Sequence, residues 1–338
     1  MKKMFNLLLI VTLLISIPLV VTANRYPESY LRPEDPDTAN FGWTGFIETP
    51  EEVVPLLDKL KTAGWNSIRY QAVPEWALDY HKGYVSLLNF EVLDLLVKEA
   101  EKRGMTVYLL CAHCWKPSEF GGTGGSDNYI DGHEKEWIKL WLTLGKRYNN
   151  KNVVIDAWSE YSSIEGMERY QQLAQSLIDR LRMVRIKTEV HFNIWWNSPI
   201  FVLDDPIENY SVGRHQYGSM FDDYNPTVPI DFETACEESG INAQMDKYFT
   251  NEFETYFFQA AKKLGVKYVI SEMGGSDTPD TSYGGRYSMS VGNVAYVMKL
   301  LQIAKENDVT CIMHRIGVYE DYDLYYQYAQ EYFAETFR

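Results

Sequence analysis

Cysteine is scarce, with 4 in 338 residues, so the chain is not a disulfide-built miniprotein. Its 13 prolines and 22 glycines are too few and too scattered for a collagen-like or proline-rich polymer. Positive charge is also short. Lys and Arg total 32 against 47 Asp and Glu, a net charge of −15, and loss of Lys2 and Lys3 with a leader makes it more negative. Such a chain repels polyanions, which argues against nucleic acid as a partner. Low-complexity tracts and interdomain linkers are missing, and no apolar run beyond the first two dozen residues could span a bilayer. What is present is a 46% hydrophobic, 14% aromatic composition over a length that α/β barrels often fill as one domain.

Residues 1–23 read as a secretory signal. Lys2 and Lys3 form the charged start, Phe5 to Val20 is almost wholly apolar, and Val21-Thr22-Ala23 supplies small residues before Asn24. An uncleaved anchor is the other reading, against which Pro18 disfavours a straight spanning helix. Either way the expectation is a domain over 24–338 outside the cytoplasm, secreted, acting as a monomer. Cys111 and Cys114 have the spacing of a redox or metal half-site, but no second such pair completes a zinc cage. Two unrelated small residues at a strand end are expected. One glycosylation sequon occurs, Asn209-Tyr210-Ser211.

One unit recurs along the chain. A helix ends at Gly or Asn-Asp, and an apolar residue, a polar residue and a β-rich run follow. It occurs at Gly64, Gly104, Gly265 and Asp308. A left-handed cap after a helix, then β-branched and aromatic residues, fits an αβ connection. Thr49 with Glu52 makes a capping box, Pro50 suits the first helical position, and Pro55 is expected to bend that helix. Asn89 opens another helix, closed by Lys102, Arg103 and Gly104. Strands are expected near 40–47, 66–71, 106–112, 152–159, 188–195, 210–216, 266–271 and 309–314. Helices are expected near 50–63, 89–103, 133–149, 165–186, 247–264, 290–306 and 321–336, with at most a short helix in 197–208. Eight strands alternating with helices predict an α/β fold, a single-domain (β/α)8 TIM barrel, with an open doubly wound sheet as the alternative. The long loops 115–132, 217–246 and 273–289 all follow strands, hence lie on one face.

Barrel chemistry comes from the carboxyl ends of strands. Those ends read Arg69; His113 and Trp115; Ser159-Glu160; Trp195 and Trp196; His215 and Tyr217; Glu272; His314 and Arg315. Two Glu directly end the apolar runs 153–158 and 268–271, where desolvation is costly without a partner. This pattern resembles the glycoside hydrolases of clan A, especially family 5, the cellulase and mannanase group. The resemblance makes Ser159-Glu160 similar to the Asn-Glu that ends the fourth strand, with Glu160 as acid/base, and Glu272-Met273-Gly274 similar to the nucleophile motif of the seventh. It likewise makes Arg69, His113 and His215-Gln216-Tyr217 similar to the family's second-, third- and sixth-strand residues. Two departures stand out: Ser159 replaces the Asn that holds the sugar 2-hydroxyl, and Cys-Ile-Met-His314-Arg lacks the eighth-strand Trp platform.

The chemistry is coherent in its own right. Two carboxyls about 5 to 5.5 Å apart suit double displacement at an anomeric carbon, with no cofactor. Arg69 and Tyr217 are suited to keep Glu272 ionised, while Glu160 beside Trp158 and Tyr161 has drier neighbours that raise a carboxyl pKa. Trp43, Trp115, Trp195 and Trp196 could pack on sugar C–H faces, though adjacency lets only one of the last two face the mouth. Trp137 and Trp141, four apart, read as the buried face of a helix. The glycine-rich stretch 120–126 lacks the Lys of a phosphate loop and reads as a cleft loop. The expected substrate is a β-linked glucan or mannan. Two rivals are a metal-dependent barrel hydrolase or isomerase using His113, His215 and His314, and a non-catalytic carbohydrate-binding barrel. The absence of a His-x-His pair in the first strand weighs against the metal.

Overall fold

The computed structural model describes residues 41–45, 47, 49–62, 66–73, 84–111, 133–159, 166–194, 199–217, 258–274, 304 and 307–314. Eight strands are β1 (Phe41–Gly45), β2 (Ser67–Val73), β3 (Thr106–Cys111), β4 (Val153–Asp156), β5 (Glu189–Asn193), β6 (Tyr210–Tyr217), β7 (Lys267–Gly274) and β8 (Thr310–His314). Each pairs in parallel with the next, and β8 returns to β1 through Phe41 opposite Cys311, closing a barrel in strand order. The described helices are α1 (Pro50–Thr62), α2 (Phe90–Lys102), α3 (Glu134–Arg147), α4 (Met167–Met183) and α5 (Gln259–Leu264). The helices expected over 290–306 and 321–336, and the three long loops, lie almost wholly outside the described residues.

Local chemistry explains the alternation. Asn89 caps α2 by accepting the Val92 N–H at 3.3 Å. Pro55 sits on the exposed side of α1, which continues to Thr62. After α2, Gly104 takes φ +63°, and Met105 N–H returns to Ala100 O at 2.9 Å. Gly265 (φ +70°) with Val266 on Ala261 O, and Asp308 (φ +54°) with Val309 on Ala304 O, repeat that geometry. In each case the residue after the left-handed one is buried and leads directly into a strand. A further copy follows α4: Arg185 (φ +62°), then Ile186 N–H on Leu181 O at 2.9 Å. No glycine marks it in the sequence.

The strands alternate between two cores. Val107, Leu109, Ile155, Val190, Phe192, Tyr268 and Ile270 join the large cluster beneath the helices, whereas Tyr108, Val154, Val269 and Ile312 form a separate cluster inside the barrel. Trp137 and Trp141 are fully buried, as their spacing predicts. Both indole N–H groups donate to Ala157 O, at 2.9 and 3.2 Å, and Ala157 N–H donates to His191 O at 2.9 Å. Three donors thereby fix the backbone just beyond β4, where the chain runs to Ser159. The sequon is folded into the start of β6: Asn209 donates its side-chain N–H to Lys187 O at 2.7 Å, and Ser211 is fully buried.

Candidate active site

At the carboxyl end of the barrel three charged side chains meet in the interior. Arg69 of β2 donates through Nε to Asp156 Oδ2 of β4 at 2.6 Å, and through Nη1 to Glu272 Oε1 of β7 at 2.7 Å. Asp156 and Arg69 are completely buried and Glu272 nearly so. His215 of β6 places Nδ1 2.8 Å from the second oxygen, Glu272 Oε2. A carboxylate accepts only, so the proton of that contact sits on Nδ1. Glu272 is therefore held at both oxygens by groups on two different strands.

A bulge makes this geometry possible. Tyr268 and Ile270 face the helices, so strict alternation sends Glu272 outward with them. The β6–β7 register instead shifts between Arg214 and His215, which face Ile270 and Glu272, leaving Ser271 as an extra residue. Ser271 accepts from Asn193, an interior residue of β5, and Glu272 also turns in to meet Arg69.

Burial opposes charge on Arg69, but its two carboxylate neighbours outweigh it and hold the guanidinium above its ordinary pKa. The Asp156 carboxyl is also raised, here against its charged form: burial pushes it up, Arg69 and then His215 pull it down, and the nearby Glu272 charge adds to the rise. Below this cluster, Lys267 Nζ holds Glu189 at 2.8 Å, Ser211 donates to Glu189 at 3.0 Å, and His191 Nδ1 lies 3.1 Å from Ser211 Oγ. Burial keeps His191 well below its usual pKa, hence neutral.

The expected site residues divide as follows. Arg69, His215 and Glu272 converge. Ser159 is fully buried just beyond β4. Tyr217 and His314 are placed by backbone alone, at the carboxyl ends of β6 and β8, opposite Gly274 and Thr44. Glu160, His113, Trp115, Trp195 and Trp196 lie outside the described residues, and with them the expected separation of the two Glu. Among the described residues no group of three His, Cys, Asp or Glu is placed to hold a metal ion. Cys111 is a free, buried thiol. Sequence reasoning missed Asp156, although a lone charge inside Val153-Val154-Ile155-Asp156-Ala157-Trp158 was a usable signal. It did not foresee the His215 contact on Glu272; the Tyr217 side chain, expected to help hold that carboxylate, lies outside the described residues.

A closed parallel barrel with a buried, doubly held Glu at the end of β7 has the architecture of a clan A glycoside hydrolase. The family model for cellulase, glycosyl hydrolase family 5, matches residues 35–320, and the chain belongs to that family. None of the curated proteins matches it. Solved structures share the fold at low identity. A family 5 glycoside hydrolase from Prevotella bryantii is 14% identical with a TM-score of 0.59, over 92% of this chain and 98% of its own. A family 5 xyloglucanase from Paenibacillus pabuli is 15% identical with a TM-score of 0.58, over 90% and 99%. Thermotoga maritima Cel5A, solved with mannotriose, is 13% identical with a TM-score of 0.56, over 90% and 99%.

Proposed function

We propose that this protein is a secreted retaining β-glycosidase acting on a β-glucan or β-mannan polysaccharide or its oligosaccharides. Glu272 is the nucleophile and Glu160 the acid/base. The observation that carries the reading is the Glu272 carboxylate at the end of β7, buried and bonded to Arg69 and His215 at 2.7 and 2.8 Å. Those contacts favour the ionised form and fix its direction, as an attacking carboxylate requires. Glu272 attacks the anomeric carbon while Glu160 protonates the departing oxygen. Glu160 then takes a proton from water, which attacks the same carbon and releases Glu272. The reaction needs no cofactor. Ser159, which precedes Glu160 in the chain, is the proposed contact for the 2-hydroxyl, and His113, Trp115, Trp195, Trp196, Tyr217 and His314 are the other proposed substrate contacts. The structural neighbours support a glucan or mannan, since they include a xyloglucanase and an enzyme solved with mannotriose. Export rests on residues 1–23.

The test is a panel of β-glucans, xyloglucan and β-mannans with the product anomer followed by NMR. The expected result is release of the β-anomer. Glu272→Ala should abolish turnover, and Glu160→Ala should hydrolyse only activated aryl glycosides and yield the β-azide with added azide. An inverted first product, or activity lost to EDTA and restored by zinc, refutes the reading.

A further inference from the structure

The Arg69 guanidinium is shared in a way that nucleophile activation alone does not explain. One edge, Nη1, serves Glu272 at 2.7 Å, and another, Nε, serves Asp156 at 2.6 Å. Asp156 has no exposed surface and cannot reach substrate except through Arg69. A second buried carboxylate on one cation is costly to desolvate. A shorter polar or apolar residue would avoid that cost.

We propose that Asp156 is a positioning residue acting through Arg69, the standing counter-ion that lets Glu272 become an ester without stranding a positive charge in the dry barrel. The proposal rests on Glu272 being the nucleophile. In the first step the bond from Glu272 oxygen to the anomeric carbon forms, the bond to the leaving oxygen breaks, and that oxygen takes its proton from Glu160. Glu272 loses its negative charge. Arg69 keeps its own, and only Asp156 remains to balance it. With Asp156 neutralised, the resting pair of Arg69 and Glu272 is balanced, and esterification leaves a lone buried guanidinium. The Asp156 charge thus makes the Glu272 carboxylate the surplus anion of the resting site, and so the more willing nucleophile.

The other groups facing this cluster do not substitute for Asp156. His215 of β6 bonds Glu272, not Arg69. His191 of β5, in register with Asp156, is kept neutral by burial, and Tyr108 of β3 has its phenol raised far above neutrality by burial. Lys267 and Glu189 pair with each other. The protons taken up on acidification belong to Asp156 and Glu272 jointly.

The experiment compares the full chain with Asp156→Asn and Asp156→Glu. The rate of covalent labelling by a 2-deoxy-2-fluoro-β-glycosyl fluoride is measured with the pH profile of kcat/KM on a dinitrophenyl β-glycoside. Asp156→Asn should slow labelling by about a hundredfold, a fraction of what breaking a buried pair costs. Its acid limb should move to lower pH by about one unit, because the undivided guanidinium then stabilises the Glu272 carboxylate. Asp156→Glu should restore the limb. Labelling at the wild-type rate, or a limb that stays or rises, overturns the proposal and makes Asp156 a structural anchor. If Asp156→Asn does not fold, Asp156→Ser takes its place. Failure of both neutral variants beside a folded Asp156→Glu also makes the charge merely structural and overturns it. A wild-type protein that turns over glycosides but is not labelled at Glu272 removes the nucleophile reading itself. A labelled wild type with an unaffected Asp156→Asn removes only the role of Asp156.

Discussion

Replacing Arg69 with Met should steepen the loss of stability as pH rises. The guanidinium lies between Asp156 and Glu272, all three almost wholly out of solvent. Met fills most of the volume, so the main loss is charge. Breaking a buried pair by removing one partner costs about 3–5 kcal/mol at neutral pH. The folded variant can lower that cost by keeping protons on its carboxyls, so their folded pKa values rise far above the unfolded references, about 3.9 for Asp and 4.3 for Glu. Groups raised in the folded state contribute stability that is complete below the unfolded value and is lost as pH rises toward the folded one. His215 beside Glu272 can supply one proton to that side, leaving at least one to be held on Asp156. Each retained proton costs about 1.4 kcal/mol per pH unit, so from pH 5 to 7.5 the variant should lose about 3 kcal/mol relative to wild type. Wild type has the same sign at Asp156, where burial also raises the carboxyl, but Arg69 opposes it and the slope is shallower. Urea unfolding followed by tryptophan fluorescence at several pH values gives both slopes. Parallel curves for Arg69→Met and wild type would show that the buried carboxylates do not depend on Arg69.

Gly213→Ala should prevent folding or cost at least about 3 kcal/mol, since its Cβ would lie 1.7 Å from Val269 O on the neighbouring strand and 2.7 Å from His191 Cε1; a thermal midpoint within a few degrees of wild type would contradict this close approach. Ser159→Ala should lower kcat about tenfold with little change in KM, and less on 2-deoxy glycosides; equal losses on both substrates would show that Ser159 only packs. Cys111 and Cys311 are buried, and burial raises both thiols, so native protein should leave them unlabelled by iodoacetamide at pH 8 while unfolded protein reacts; labelling of either in the native state would mean that the barrel wall opens.

The αβ repeat and the strand count were legible because they depend on local chemistry. Gly104 and Gly265 take left-handed caps, Asn89 caps its helix, and apolar runs follow, as their side chains dictate. The same unit at Arg185 was not legible, because neither a glycine nor an Asn-Asp marks the residue that takes positive φ there. The strand-end positions of Arg69, His215 and Glu272 could likewise be read from where apolar runs stop. What they touch could not. Glu272 has the sequence parity of Tyr268 and Ile270, which face the helices, and only the extra residue at Ser271, accommodated by pairing with β6, turns it inward. Asp156 reads as one polar residue in an apolar strand until barrel closure brings β2, 87 residues away in the chain, within 2.6 Å. Sequence alone determined which segments become helix and strand, since caps and periodicity act over a few residues. The partners of each buried charge were decided by the tertiary structure, because barrel closure and bulge registers depend on contacts between strands distant in the chain.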